Sequence, residues 1–205
     1  MHGPDGTDYP NFTRYHEVEP RAIEKGTSDQ DIFVINRSFD APIERMFDMW
    51  TKPEHFGAWL PPTGFTMEFR RIEIRTGGDG FYAMTNGQFT MYGRVAYLLV
   101  QPPDRLEYTQ CFTDEHEHVS RHPGAPTWPE QMHTTVLLTA EGPSQTRVTV
   151  RWAVHGPATP EEIAAFVQER GGMTRGWTGS FDKLEEVVAT AVWRENTRRA
   201  ATVPS

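Results

Sequence analysis

The chain has 205 residues, 37% of them hydrophobic, and a formal net charge of −8, which is enough for one domain with a substantial core. Because no run of lysines or arginines interrupts this acidity, nucleic acid and anionic membranes are excluded as expected partners. No apolar run approaches the roughly 20 residues of a membrane-spanning helix, and the first residues lack the apolar segment of a signal peptide. The single cysteine, Cys111, forbids an internal disulfide and leads us to expect a cytoplasmic protein.

The first thirty residues differ in composition from the rest. Residues 1–30 are polar and rich in Gly, Pro and Asp, which predicts an N-terminal arm. An alternative rests on the piece NFTRYHEVEPR, which alternates aromatic and polar residues before a proline, much as GRVAYLLVQPPDR does from Gly93 to Arg105. On that interpretation the arm is a decayed partial repeat of the domain. Phe12 to Val18 would then pair as a strand within the chain or across a homodimer.

One strand and two short helices are predicted next. Ile32 to Phe39 is rich in residues that favour β-strands, and Asp40-Ala41-Pro42 then begins a short helix. Thr51 is placed to cap a second helix, with Glu54 completing a capping box. That helix is expected to end near Trp59, at the following pair of prolines.

Six more strands follow, with turn signals between them. Their expected bounds are Phe65–Arg75, Gly80–Asn86, Gln88–Val100, Arg105–Thr113, Gln131–Ala140 and Thr146–Val154. Alternation puts Leu106, Tyr108, Gln110 and Phe112 on one face of their strand, and Val148, Val150, Trp152 and Val154 on one face of theirs. One apolar face and one polar face indicate an antiparallel sheet that curls around a partner.

A long C-terminal helix, roughly Pro160 to Arg198, is predicted to be that partner. Thr159 is its expected N-cap, with Pro160 at the first helical position and Glu162 three residues after the cap. An apolar stripe then recurs at helical spacing through Ile163, Phe166, Val167, Trp177, Phe181, Leu184, Val188 and Ala191. Two glycines, Gly171 and Gly172, predict a kink or a close approach, since each costs about 1 kcal/mol in a helix.

The order of elements is an α+β pattern, and the pieces in it resemble a known superfamily. They are RSFDAPIERMFDMWTKPEHFGAWLPP, the GGDGFYAM hairpin, the strand from Gly93 leading to PPDRLEY, FTDE, RHPGAPTWPEQMHTTVLL, TRVTVRW and GMTRGWTGSFDKLEEV. Together they resemble the START, birch-pollen-allergen and polyketide-cyclase (SRPBCC) proteins, and among these the homologues of the C-terminal domain of the heat-shock-protein-90 ATPase activator. The resemblance implies a helix-grip fold over residues 31–193, followed by a tail at 194–205. In that fold a curved antiparallel sheet wraps around the long C-terminal helix, with two short helices after the first strand, and encloses a hydrophobic cavity.

The resemblance leaves three functions open. Members are mostly ligand binders, so the leading interpretation is binding of a small hydrophobic or aromatic molecule without a metal or other cofactor. The second is a polyketide-cyclase-like or hydrolase-like enzyme that uses an acid or base in the pocket, for which no catalytic residue is assigned. The third is a chaperone-interaction module, as the family name implies, although no counterpart of the activator's separate N-terminal domain is evident.

The densest polar cluster follows the strand that ends at Thr113. It comprises Asp114, Glu115, His116, Glu117, His118 and His122. These residue types bind metals, but a strong site needs ligands held by rigid elements. We therefore expect a solvated loop and no metal ion, and we expect the lone His133 to lie at the surface.

Ligand-binding residues are predicted from the elements that the helix-grip fold would direct at one cavity. The predicted set is Trp59, Tyr108, Gln110, Phe112, Trp128, Trp152, Trp177 and Phe181. Trp128 is expected to cover one end of the cavity, and Gln110, Thr134 and Arg175 are expected to orient the ligand. Taken singly, each aromatic residue is expected to be core rather than a ligand contact, and the prediction of a ligand wall is made for the group.

Overall fold

The structure is a computed structural model that describes residues 32–122 and 124–201, with side chains as far as residue 190. Its elements in chain order are β1 (Phe33–Phe39), α1 (Ile43–Thr51), α2 (Pro53–Trp59), β2 (Thr66–Ile72), β3 (Asp79–Thr85), β4 (Thr90–Gln101), β5 (Arg105–Thr113), β6 (Gln131–Gly142), β7 (Gln145–Val154), α3 (Pro160–Gln168) and α4 (Arg170–Ala201). This confirms the predicted order of one strand, two short helices, six strands and C-terminal helix.

The seven strands form one antiparallel sheet in the order β1-β7-β6-β5-β4-β3-β2, so β1 and β2 are its edges. The first strand of the chain, β1, therefore pairs with the last strand, β7, and forms one edge of the sheet. The sheet is curved, and its long C-terminal helix packs against one face. The fold is the α+β helix-grip arrangement that the sequence predicts.

The two faces of the sheet differ in composition as predicted. The inner face, which packs against the helices, buries apolar side chains from the central and β7-side strands: Val95, Leu106, Met132, Val136, Leu138, Val148 and Val150. The outer face carries ion pairs. Among them Arg71 of β2 contacts both Asp79 of β3 and Glu117 of the loop after β5, at 3.1 and 2.9 Å.

Helix α4 is held to β1 by aromatic packing and to the segment after α2 by a hydrogen bond. Phe181 is fully buried and its ring meets the edge of Phe39 of β1, with centroids 5.5 Å apart. The Ser180 hydroxyl donates to the carbonyl of Leu60, just after α2, at 2.8 Å. These contacts fix α4 across the β1 side of the sheet. No helix in the described ranges is both long and apolar enough to cross a membrane.

The predicted long C-terminal helix is confirmed in α4, but it does not run unbroken from Pro160, and a break falls just before the two glycines that predicted a kink. The helical segment divides at Glu169, whose backbone (φ −82°, ψ 5°) lies outside the α-helical region. The break comes two residues before Gly171, where helix propensity is lowest. The Glu169 carboxylate also lies over Gly172, where a Cβ atom would come within 2.7 Å of it.

The predicted cap of the second short helix is wrong. Thr51 is the last residue of α1, and its hydroxyl donates to the carbonyl of Phe47 at 2.8 Å. Because Pro53 takes the first helical position of α2, the cap falls on Lys52, which makes no side-chain capping bond. The N-terminal arm at 1–30 lies outside the described residues. Of the tail at 194–205, residues 194–201 continue the backbone of α4.

Candidate functional site

A row of aromatic and hydroxyl side chains crosses the inner face of the sheet. The strand register aligns Tyr97 of β4 with Tyr108 of β5, Tyr108 with Thr134 of β6, Thr134 with Trp152 of β7, and Trp152 with Phe33 of β1. We call Tyr97, Tyr108, Thr134, Trp152 and Phe33 the cross-sheet row. Two of its members, Tyr108 and Trp152, were predicted as ligand-binding residues, and Thr134 as a ligand-orienting one.

A hydrogen bond joins two members of the cross-sheet row. The indole Nε1 of Trp152 donates to the Thr134 hydroxyl at 2.6 Å, and Thr134 faces the Tyr108 hydroxyl closely enough to lower its pKa slightly against the effect of burial. The rings of Tyr97 and Tyr108 are 5.6 Å apart. The Tyr97 hydroxyl is different, because it is buried and finds no hydrogen-bond partner within the described part of the chain.

A third phenol reaches the row because β4 has a glycine opposite it. Tyr82 of β3 pairs with Gly93 of β4, and a Cβ atom at position 93 would lie 2.4 Å from the Tyr82 hydroxyl. Only glycine leaves room for the ring to lie across β4. Tyr82 thereby comes close enough to Tyr97 and Tyr108 to influence their ionisation.

Burial sets the protonation state of these phenols. It raises the pKa values of Tyr82, Tyr97 and Tyr108 well above the ordinary value of 10, because a phenolate would lose its hydration there. All three are therefore neutral at physiological pH. On the described strands the histidine and the carboxylates project to the outer face or the exposed ends, and the imidazole that borders the inner face is that of His122, in the loop after β5, whose ring packs on Phe112.

One end of the inner face is partly open. Tyr82, Gln110 and Phe112 are all half-buried, although Tyr97 and Tyr108 in the next row are buried. The ring of Phe112 packs against His122 of the following loop, with centroids 4.9 Å apart. We call this open end, formed by Tyr82, Gln110 and Phe112, the mouth.

The loop that carries Trp128 is fastened beside the start of α3. Trp128 packs on Phe166 of α3 at 5.8 Å, and its carbonyl accepts a hydrogen bond from Arg121. Arg121 also pairs with Glu162, the residue that completes the capping box of α3 with Thr159. Trp128 is thus half-buried against α3, and the predicted capping box at Thr159 is confirmed.

Three of the predicted ligand-binding aromatics lie within the packed core. Trp59 is fully buried and donates from Nε1 to the carbonyl of Met49 at 2.9 Å. Trp177 of α4 stacks with Trp50 at 6.3 Å and meets Trp152 edge-on at 5.8 Å. The third, Phe181, is buried beside Trp177. Arg175, predicted to orient a ligand, is exposed on α4.

A surface groove of about 390 Å³ lies apart from most of these residues, between α2 and the edge strand β2. It is lined by Pro53, Glu54, Gly57, Ala58, Pro61, Phe65, Thr66, Met67 and Phe69. Phe69 connects it to the inner face, since its ring meets Tyr82 at 6.4 Å. None of the predicted ligand-binding residues lines this groove.

The acidic and histidine-rich loop is ordered by its own hydrogen bonds. Asp114 accepts from the backbone N–H groups of His116 and His118 at 2.8 and 2.9 Å, and its second oxygen lies 3.0 Å from His118 Nδ1. Glu117 is turned away to the Arg71 side chain. Within the described ranges no three His, Cys, Asp or Glu residues are grouped to hold a metal ion.

His133 lies on the outer face, opposite Met132, as the alternation predicts. Its Nε2 is 3.5 Å from Glu107, and its ring is 5.9 Å from that of His155. Burial lowers its pKa, partly opposed by the Glu107 carboxylate. This cluster is separated from the cross-sheet row by the sheet itself.

Sequence reasoning missed Tyr97 and Tyr82 as site residues. Alternation along β4 gives the face of Tyr97, because Gly93, Val95 and Tyr97 share the inner face. Its unpaired hydroxyl depends on neighbours from another strand and is not encoded locally. The available signal for Tyr82 was the glycine opposite it, which requires the strand register.

Comparisons with known proteins agree with this architecture. The model of the family described as "Activator of Hsp90 ATPase homolog 1-like protein" matches residues 40–189. A solution NMR structure of a protein from Arthrobacter aurescens is 24% identical with a TM-score of 0.66, covering 80% of this chain and 90% of that one. A crystal structure from Mycobacterium smegmatis is 19% identical with a TM-score of 0.63, covering 82% and 96%.

A third similar structure is the AHSA1 protein from Silicibacter pomeroyi, which is 18% identical with a TM-score of 0.59 and covers 78% of this chain and 99% of that one. At such identities the likeness concerns the fold. Among curated proteins none matches the sequence significantly.

Proposed function

The chain belongs to the family of Activator of Hsp90 ATPase homolog 1-like proteins, and we propose that it binds a small hydrophobic or aromatic molecule between its sheet and α4. The observation that carries this proposal is the mouth. There the aromatic inner face is half-exposed, although the rows behind it are buried. Small-molecule sites are typically concave and apolar with a few placed polar groups, which matches an aromatic face with hydroxyls in it.

The composition of the inner face favours binding over catalysis. A pocket enzyme of cyclase or hydrolase type needs an acid or base within reach of its substrate. The phenols of Tyr82, Tyr97 and Tyr108 have raised pKa values and stay protonated, so they donate hydrogen bonds rather than remove protons. We therefore propose a binder whose affinity rests on apolar burial, at about 25 cal/mol per Å², and we place it in the cytoplasm.

Native mass spectrometry of the protein incubated with an organic extract of its host tests this proposal. We expect one small organic mass per chain, lost on denaturation. A Gln110→Trp variant should lose that mass, because a large side chain at the mouth fills the entrance. The matched control is Ala96→Trp, which adds the same ring at an exposed position on the outer face of β4.

Two results would contradict the proposal. One is a clean apo mass across extracts of several growth conditions. The other is equal retention of the bound mass by Gln110→Trp and Ala96→Trp, provided that both variants unfold cooperatively at the wild-type temperature. The second result would move the binding site away from the inner face.

A further inference from the structure

We propose that the Tyr97 hydroxyl is the polar contact that orients the bound molecule, and that this molecule is uncharged and carries a hydrogen-bond acceptor such as a ketone or ester carbonyl. The inference rests on the proposed function and adds the chemical class of the ligand. It begins from an unsatisfied atom. Tyr97 is 2% exposed, and its hydroxyl has no hydrogen-bond partner in the described part of the chain.

An unpaired buried hydroxyl is costly, so a retained one indicates a partner that joins later. The neighbouring phenol shows the contrast. Tyr108 pairs with Tyr97 in the register, and their rings are tilted with centroids 5.6 Å apart, yet its hydroxyl faces Thr134, which accepts a hydrogen bond from Trp152. The polar contacts of the row therefore lie on the Thr134 side of Tyr108 and leave the Tyr97 hydroxyl for another molecule.

The unpaired groups favour a ligand that accepts hydrogen bonds. A phenol can donate or accept, but the indole N–H only donates. The buried Nε1 of Trp50 also has no partner within the described ranges, and its ring stacks on Trp177, which contacts Trp152 of the row. An acceptor such as a carbonyl oxygen satisfies a donor of either kind.

The surrounding charges favour a neutral ligand. Arg37 is the charged residue of the described strands that lies on the inner face near α4, and its guanidinium is paired with Asp182 at 2.6 Å. A buried carboxylate or ammonium ligand would therefore lack a free counter-charge on this face, which is costly in an apolar site. A carbonyl needs only one donor and avoids that cost.

Two isosteric probes test the inference: 2-acetylnaphthalene, which has a ketone oxygen, and 2-isopropenylnaphthalene, which has a methylene group in its place. Equilibrium dialysis should show that the wild-type protein binds the ketone about tenfold more tightly than the alkene. Tyr97→Phe should bind both with the affinity of the alkene. Tyr92→Phe is the matched control, because it removes a phenol from the same strand on the outer face, where Tyr92 stacks on Phe81, and it should keep the preference.

The thermal stability of Tyr97→Phe without ligand is a second test of the inference. Removing a truly unpaired hydroxyl should leave the melting temperature of Tyr97→Phe unchanged or raise it by about 2–4 °C. A lower melting temperature would mean that a buried water already satisfies the hydroxyl, and would overturn the inference.

The affinities distinguish failure of the role of Tyr97 from failure of the proposed function. If the wild-type protein binds ketone and alkene equally, or if Tyr97→Phe keeps the preference, the role of Tyr97 is wrong and the proposed function stands. If neither probe binds, the proposed function fails for ligands of this size, and the inference fails with it.

Discussion

The inner face of the sheet has two halves. Both contain fully buried side chains, but the two halves differ in the chemical type of the side chains that they bury. The half formed by β1, β6 and β7 packs against α1 and α4, and it buries Phe39, Val136, Val148 and Val150 to at most 2% exposure. The half formed by β3, β4 and β5 buries phenols, and it opens at the mouth. In the first half the polar atoms of Thr134, Thr146 and Trp152 are hydrogen-bonded within the chain, whereas in the second half the Tyr97 hydroxyl has no partner among the described residues.

This difference teaches that burial alone does not separate core from site. Trp59, Trp177 and Phe181 are aromatic, buried and directed inward, yet their contacts are those of a core. In the tyrosine-bearing half, the hydrogen bonds of each polar atom distinguish a core residue from a candidate ligand contact. An aromatic residue is a better candidate for a ligand contact when its polar atom lacks a protein partner.

The largest expected effect belongs to the packed half. Phe181→Ala should lower the free energy of unfolding by about 3–5 kcal/mol, because it leaves a cavity between β1 and α4. Urea denaturation measures it, with Val167→Ala on α3, where 37% of the side chain is exposed, as the control expected to change little. A loss below about 1 kcal/mol would show that the Phe181 ring borders open space, and would remove the contrast between the halves.

A smaller effect is expected where β4 admits the Tyr82 ring. Gly93→Ala should cost roughly 1–3 kcal/mol, because the new methyl group overlaps the Tyr82 hydroxyl. Gly142→Ala at the end of β6, where no atom lies within 4 Å of the added carbon, is the control. In a Tyr82→Leu background the cost of Gly93→Ala should disappear. An unchanged cost would mean that the glycine serves the backbone and not the phenol.

The smallest effect at neutral pH is ionisation of the buried phenols. The folded-state pKa values of Tyr82, Tyr97 and Tyr108 are raised above the unfolded value near 10. Their contribution to stability is therefore complete below about pH 10 and is lost as the pH rises towards the folded-state values. Ultraviolet titration of phenolate should show these three of the six tyrosines ionising only with alkaline unfolding. Reversible titration of all three near pH 10 in the folded protein would place the tyrosine-bearing half in water.

Much of the fold follows from local patterns. Alternation predicted the faces of β5 and β7, and the capping signal at Thr159 predicted where α3 begins. Two local signals were misleading. The Thr51 hydroxyl could either cap α2 or donate to a carbonyl within α1. Because Pro53 occupies the first position of α2, the N-cap falls on Lys52, and the Thr51 hydroxyl donates to the carbonyl of Phe47. The break at Glu169 came from a competition between an apolar stripe and two glycines, whose outcome depends on packing.

The candidate site was less accessible to sequence reasoning. Tyr108 and Trp152 could be placed on the inner face, because each belongs to an alternating strand. That they share a row with Tyr97 depends on the register of three strand pairs, including the irregularity in β4 between Tyr97 and Leu99. An unsatisfied hydroxyl is a property of three-dimensional neighbours, so no spacing along the chain announces it.

The carboxylate of Glu162 links the start of α3 to the loop that carries Arg121 and Trp128. It accepts from the backbone N–H of Thr159 at 2.8 Å and also holds Arg121, whose guanidinium binds the carbonyl of Trp128. Both contacts hold the pKa of Glu162 below its usual value, the Thr159 backbone more strongly than Arg121. A helix-start motif that is readable from four consecutive residues therefore also fastens a loop 41 residues earlier in the chain. A substitution of Glu162 would therefore disturb the helix start and the loop position together, because one side chain serves both.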